Sequence, residues 1–95
     1  NKLQSYGATD DVLPLEPLRD KWEAFGFQTR EVDGHDLQAL QEVMATVPFE
    51  PHAPSAVICH TVKGKGFPMA ENQPEWHHKS RLSDTDLAAL YQCLE

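Results

Sequence analysis

Ala56-Val57-Ile58-Cys59 is an apolar run without alternation, and it constrains the fold of this chain more than any other feature. A strand with one wet face alternates apolar and polar residues, because successive side chains point to opposite sides. A run with no polar break has the pattern of a strand covered on both faces, as in a parallel sheet flanked by helices. The expected strand covers residues 55–62 and follows a stiff connection that carries Pro48, Pro51 and Pro54.

The chain also carries the flanking helices. Leu15, Leu18, Trp22 and Phe25 recur at three- and four-residue steps, which predicts a helix over 15–25 with one apolar face. Pro14 and Pro17 suit its start, where a missing N–H costs little, and Gly26 suits its end as a left-handed cap. A strand is expected over 27–32. Val32-Asp33-Gly34-His35-Asp36 reads as a turn, with Asp33 or Asp36 able to cap the next helix, over 36–46. That helix presents Leu37, Leu40, Val43 and Met44 on one face, continued by Val47. Ser83-Asp84-Thr85-Asp86 resembles a capping box ahead of a last helix whose buried stripe is Leu87, Leu90, Tyr91 and Leu94. Residues 1–13 are polar and turn-rich and read as a loop after a strand that ends near Asn1.

Strands alternating with helices imply right-handed crossovers: an α/β fold, part of a parallel sheet with helices on both faces. Two strands and a fragment leave an edge unpaired, so the remaining strands are expected from elsewhere. The start at Asn1, without an initiating Met, reads as a cut within something longer or an ordered remnant. At 95 residues the chain is one domain at most, with a modest core.

Composition narrows the function classes. A formal charge of −7 argues against non-specific attraction to nucleic acid or anionic lipid. Cys59 and Cys93 lie far apart with no ligand spacing, so neither a disulfide framework nor a zinc site is supported, and a reducing cytoplasm fits. No apolar run of about 18 residues and no leader is visible, so no membrane span is expected.

In open parallel sheets ligands collect beyond the carboxyl ends of the strands. Asn1 with Leu3, the turn at Asp33 to Asp36, and the long connection from Lys63 to His78 are all expected at such ends. Thr61-Val62-Lys63-Gly64-Lys65-Gly66 resembles a phosphate loop only loosely, since glycines let backbone N–H groups approach an anion and lysines supply charge. The Walker A spacing is absent, and as pattern alone a flexible, solvated basic turn is the favoured reading. His77 and His78 are adjacent, so in an extended segment they point opposite ways. Trp76 reads as a hydrophobic anchor, His35 as a turn residue, His52 as exposed, His60 as a satisfied core histidine and Cys59 as an inert small hydrophobe.

Taken together, several motifs resemble the transketolase family, most closely the separately encoded N-terminal subunit of split transketolases. They are Asn1-Lys2-Leu3-Gln4, Leu15-Glu16-Pro17-Leu18, Lys21-Trp22-Glu23-Ala24-Phe25-Gly26, Val32-Asp33-Gly34-His35-Asp36, Thr61-Val62-Lys63-Gly64-Lys65-Gly66 and Trp76-His77-His78. The resemblance implies that residues 1–95 are the latter half of a thiamine-diphosphate-binding domain, the part after the family's Gly-Asp-Gly motif. It implies a transferase that moves a two-carbon ketol unit between sugar phosphates with thiamine diphosphate and Mg²⁺. Asn1 matches the family's metal-binding asparagine, Leu3 the carbonyl donor two residues on, and His78 a histidine beside cofactor and substrate. Lys63 and Lys65 are expected to give electrostatic support near the cofactor.

The Gly-Asp-Gly motif itself is absent, as is the pyrimidine-binding domain that supplies the activating glutamate. The expected partners are therefore a chain or segment carrying the Gly-Asp-Gly half and a pyrimidine-binding transketolase subunit, with an interface on the order of 2,000 Å² or more. The chain is expected to be inactive alone. Alternatives are another thiamine-diphosphate enzyme, such as a 1-deoxyxylulose-phosphate synthase-like or tailoring enzyme, or a structural subunit that keeps the fold without chemistry.

Overall fold

A computed structural model describes residues 1–94. In chain order the elements are β1 (Leu3–Gln4), β2 (Gly7–Ala8), α1 (Thr9–Val12), α2 (Leu18–Ala24), β3 (Gln28–Asp33), α3 (Leu37–Met44), β4 (Ser55–His60), a 3-10 turn (Pro74–Trp76) and α4 (Asp84–Gln92). They fall into two units, Leu15–Thr61 and, separately, Asn1–Pro14 with Val62–Glu95.

The unit Leu15–Thr61 is a strand–helix–strand segment preceded by a helix. β3 and β4 pair in parallel, Gln28 opposite Ser55 through Asp33 opposite His60. The helix expected over 15–25 forms from Leu18, with Pro17 as its extended N-cap. It stops as Gly26 predicts. Gly26 takes φ +87°, its N–H donates to the Glu23 carbonyl, and the Phe27 N–H reaches back to the Trp22 carbonyl. That is the Schellman arrangement, and its usual apolar contact is present: the Trp22 and Phe27 rings meet edge-to-face at 4.8 Å. Asp36 caps α3 by accepting the Ala39 N–H at 3.0 Å, while Asp33 accepts the His35 N–H at 2.9 Å. Of the two candidate caps, Asp36 is the one in use.

Gly34 closes the β3 end. Its N–H donates to the His60 carbonyl at 2.7 Å. A Cβ there would lie 2.6 Å from Thr61 Cγ2 and 3.1 Å from Cys59 Cβ, so only glycine fits without a shift.

The expectation that β4 is covered on both faces is not met by the described residues. Ser55 to Ile58 are half-buried and Cys59 and His60 are exposed. His60 is thus corrected from a core histidine to a surface one: Nε2 lies 2.5 Å from Glu31 Oε2, diagonally across the strand pair. Arg19 of α2 approaches the same carboxylate at 3.8 Å and pairs with Glu23 at 2.8 Å. Both neighbours hold the Arg19 guanidinium in its charged form, Glu23 foremost. Cys59 likewise is an exposed thiol rather than a buried small hydrophobe.

The other unit differs from expectation at its start. Residues 1–13 are not simply a loop; β1 and β2 make a small antiparallel hairpin around Ser5-Tyr6, and α1 follows directly. Ser83 and Asp86 form the expected capping box ahead of α4. The hydroxyl accepts the Asp86 N–H at 3.1 Å and the carboxylate accepts the Ser83 N–H at 2.9 Å. The Ser83 N–H first, and then the Ser83 hydroxyl donating to the same carboxylate oxygen at 2.9 Å, hold the Asp86 carboxyl below its ordinary range.

Among the described residues the buried apolar core is Ala70 alone, and Tyr6, Phe25, Leu37, Tyr91 and Leu94 are each more than two-thirds exposed. Exposed apolar patches of this kind mark interaction surfaces. No helix among these residues is long and apolar enough to cross a membrane.

Candidate functional site

Asn1, Leu3, Lys63, Lys65 and His78 all fall in the unit that joins Asn1–Pro14 to Val62–Glu95. The Asp33 to Asp36 turn lies in the other unit.

The first part of the site is the outer edge of β1. The Thr9 N–H donates to the Lys2 carbonyl at 2.9 Å. Leu3 and Ala8 are therefore a non-hydrogen-bonded pair of the antiparallel ladder, and the Leu3 N–H and C=O both point away from β2. The Asn1 side-chain oxygen takes that outward N–H at 3.0 Å. Lys2 makes this possible by adopting φ +55°, a left-handed conformation that side-chain-bearing residues rarely take. Asn1 Oδ1 and the Leu3 carbonyl oxygen consequently share one strand edge. Two neutral oxygens are a donor set suited to a hard cation such as Mg²⁺, which takes oxygen ligands in an octahedron and completes it with phosphates and water. The residues present fit part of such a shell.

The second part is the loop after Val62. Lys65 N–H donates to Val62 C=O, Phe67 N–H to Gly64 C=O, and Asn72 N–H returns to Lys63 C=O at 3.0 Å. Gly64, at φ +73°, has the Ala70 carbonyl oxygen 2.6 Å from where a Cβ would stand. The loop is thus tightly wound, and one of its apparent anion sites is already taken. Glu71 Oε1 accepts the Gly66 N–H at 3.1 Å and lies 4.0 Å from Lys65 Nζ. Lys65 faces an internal carboxylate. Lys63 does not; its ammonium is 3.2 Å from His77 Nδ1.

His77, which the sequence reading names in the pair without giving it a site role, is the hub. Its Nε2 lies 2.9 Å from Ser5 Oγ in the hairpin turn, its Nδ1 meets Lys63, and its ring packs edge-to-face on His78 at 4.5 Å. The two imidazoles do not point apart as an extended segment would require, because His78 takes φ +57° and folds its ring back beside its neighbour. Partial desolvation, with smaller contributions from Lys63 and His78, pushes the His77 pKa below its ordinary value. No described residue hydrogen-bonds the exposed His78 ring. Trp76 is half-buried, as an anchor should be, and carries Lys79 Nζ 4.0 Å from its ring centroid.

Ser5 and Glu71 are site residues that sequence reasoning misses. Glu71 has a faint signal, an acid a few residues beyond a glycine-lysine turn; Ser5 has none. Beside the loop, Lys63, Gly64, Phe67, Trp76, Leu87 and Tyr91 line part of an apolar groove of about 480 Å³.

Comparison with known proteins gives this geometry its context. The family model "Transketolase, thiamine diphosphate binding domain" matches residues 1–94. Among relatives, an apulose-4-phosphate transketolase subunit of Actinobacillus succinogenes is 42% identical over 91 residues, covering 95% of this chain and 32% of its own length. The 6-deoxy-6-sulfo-D-fructose transketolase subunit SqwG of Clostridium sp. is 36% identical over 95% of the chain and 33% of its own. Transketolase-like protein 2 of Bos taurus is 41% identical over 83% of the chain and 13% of its own. The chain spans about a third of the length of the subunit relatives. A family match that runs through every described residue, with identities near 40% across almost the whole chain, leaves one conclusion: the chain belongs to the transketolase family, in its thiamine-diphosphate-binding domain.

Proposed function

We propose that residues 1–95 form the latter half of the cofactor domain of a transketolase-like transferase, which moves a two-carbon ketol unit between sugar phosphates. The observation that carries the reading is the pair of oxygens on the outer edge of β1, Asn1 Oδ1 and the Leu3 carbonyl, brought to one side by the left-handed Lys2. These two would be the chain's ligands to Mg²⁺. Thiamine diphosphate, when bound, supplies the carbanion-stabilising chemistry, and the protein supplies binding, orientation and electrostatics.

His78 would face cofactor and substrate, donating a hydrogen bond to diphosphate or sugar oxygens or moving a proton at a ring nitrogen that no described residue engages. Lys63 would add positive charge beside the pair, while Lys65, facing Glu71, gives only longer-range support. The relatives named for apulose-4-phosphate and for 6-deoxy-6-sulfo-D-fructose act on different sugars, which favours selectivity set outside this segment.

The rest of the domain, with the Gly-Asp-Gly motif, would come from another segment or chain, and a pyrimidine-binding subunit would complete the active complex. The exposed apolar faces and the two-stranded sheet support this, as do relatives that are themselves named as subunits. The unpaired cysteines fit a reducing cytoplasm.

Calorimetry of the complete complex with thiamine diphosphate and Mg²⁺ tests the proposal. Binding should require the metal, and Asn1→Ala should weaken it at least about 10-fold, the smaller end of what is lost when even a residue that only orients a metal ligand is removed. Absence of binding by the wild-type complex would leave the structural reading, and an unchanged affinity would remove Asn1 from the ligand set.

A further inference from the structure

Trp76 and the histidine pair are followed by a segment with little backbone support. Residues 79–83 belong to no helix or strand, and the last backbone bond before them among the described residues runs from the His77 N–H to the Pro74 carbonyl at 2.9 Å. Side chains therefore have to hold this stretch. Across the left-handed His78, the Lys79 ammonium returns to 4.0 Å from the Trp76 ring centroid and lies 3.3 Å from Asp86 Oδ2 in the first turn of α4. The lysine and aspartate side chains are only 27% and 29% exposed, so water and salt screen this pair less than a fully solvated one.

Asp86 is set up to receive the lysine. The same Oδ2 accepts the Ser83 N–H and the Ser83 hydroxyl, both at 2.9 Å, and these bonds keep the carboxylate charged. Arg81 stands closer to α4 in sequence yet makes no ion pair with a described residue. Position, not charge alone, selects Lys79.

We propose that Lys79 is a positioning residue: it clasps the end of the long connection to the first turn of α4, with Trp76 as the anchor and Asp86 as the catch, and so sets where the histidine pair stands. That the pair serves cofactor and substrate rests on the reading above; the clasp itself does not. The capping box then both starts α4 and holds the connection. Trp76, Leu87 and Tyr91 line the same apolar groove, so the anchor and the helix that carries the catch share one surface. Each contact is modest. A cation on an aromatic face and a partly shielded ion pair each shift an equilibrium by about 2- to 5-fold, and together they favour the closed connection by about 4- to 25-fold.

The test is amide hydrogen exchange, followed by NMR on the full-length protein in its complex, with turnover measured on the same samples. Lys79→Met keeps the apolar stem and loses both contacts. It should speed exchange at the His77 amide by about 4- to 25-fold, with amides late in α4 unchanged. Lys79→Arg should restore the wild-type rate, because a guanidinium both stacks on indole and pairs with carboxylate. Arg81→Met removes the same charge two residues on and should change nothing. Combining Lys79→Met with Asp86→Asn should show a coupling of about 2- to 5-fold, which separates the catch from the loss of the capping box. Turnover should fall in the order of the exchange rates, with Lys79→Arg near wild type. Wild-type exchange in Lys79→Met, an equal effect of Arg81→Met, or turnover unmoved by an opened connection overturns the proposal. The exchange signals need no cofactor. A complex that exchanges as expected yet binds no thiamine diphosphate overturns only the reading above, and one that binds it without the coupling overturns only the clasp.

Discussion

Gly64 and Gly66 sit two residues apart in one loop, both left-handed, yet their substitution by alanine should have very different costs. Gly66, at φ +94°, has open space where a Cβ would go. Its alanine variant bears only the left-handed backbone term of about 1–2 kcal/mol. Gly64, at φ +73°, bears the same term, and its Cβ would also stand 2.6 Å from the Ala70 carbonyl oxygen and 2.7 Å from the carbonyl carbon. Backbone atoms cannot swing aside as a side-chain tip can, so an overpacking cost of about 1–3 kcal/mol is added. Gly64→Ala should therefore lose about 2–5 kcal/mol, against about 1–2 for Gly66→Ala. It should also loosen the Ala70 N–H to Phe67 bond, which closes the loop at 2.7 Å. Urea unfolding of the full-length protein measures the two losses, and hydrogen exchange at the Ala70 and Asn72 amides locates them. Gly66→Asn should recover part of its loss, since asparagine tolerates this region best among side-chain-bearing residues. Equal losses for the two alanine variants, or a larger one at Gly66, would refute the steric reasoning.

His78→Ala should lower turnover of the assembled enzyme by about 10²-fold if His78 transfers a proton, and raise KM instead if it only binds; steady-state kinetics separate the two. Because the His77 pKa is lowered on folding, the unfolded chain takes the proton first: stability should hold above the ordinary 6.5 and fall as pH drops below it, and His77→Gln should flatten that part of the unfolding profile. Asp86 follows the same sign at lower pH. Its folded carboxyl is depressed, so the capping box stabilises α4 above the ordinary 3.8 and is lost as pH falls through the folded value; Asp86→Asn should be less stable than wild type at neutral pH and converge with it in acid. Gly26→Ala should cost about 1–2 kcal/mol by opposing the left-handed cap, read as a lower urea midpoint.

The long elements are legible in the sequence because each combines a period with a punctuation mark. α3 carries its apolar face after Asp36, α4 follows a capping box, and α2 stops at Gly26; β3 and β4 lie within a residue or two of their expected spans. The parallel pairing follows from the unbroken Ala56 to Cys59 run. The hairpin is not legible, since strands of two residues have no measurable alternation and Ser5-Tyr6 carries none of the glycine or asparagine that marks a tight turn. His60 is misread because its partner, Glu31, is distant in sequence and nothing local shows that the strand end is wet. The histidine pair is misread because a left-handed His78 runs against the local preference of a residue with a Cβ. Family likeness selects Asn1, Leu3 and His78; the link from Ser5 through His77, and Glu71 folded onto its own glycine, are long-range or loop-specific contacts that no spacing reveals.

Gly34 has a consequence for the alignment of the two strands. β3 and β4 hold one constant offset along their whole length, and a slide of one residue would exchange every inward side chain for an outward one. The missing Cβ at Gly34 leaves room for the Thr61 methyl at a single alignment, and the 2.7 Å bond to the His60 carbonyl forms only there. The residue works as a register notch: a pairing shifted along the strands loses both the gap and the bond.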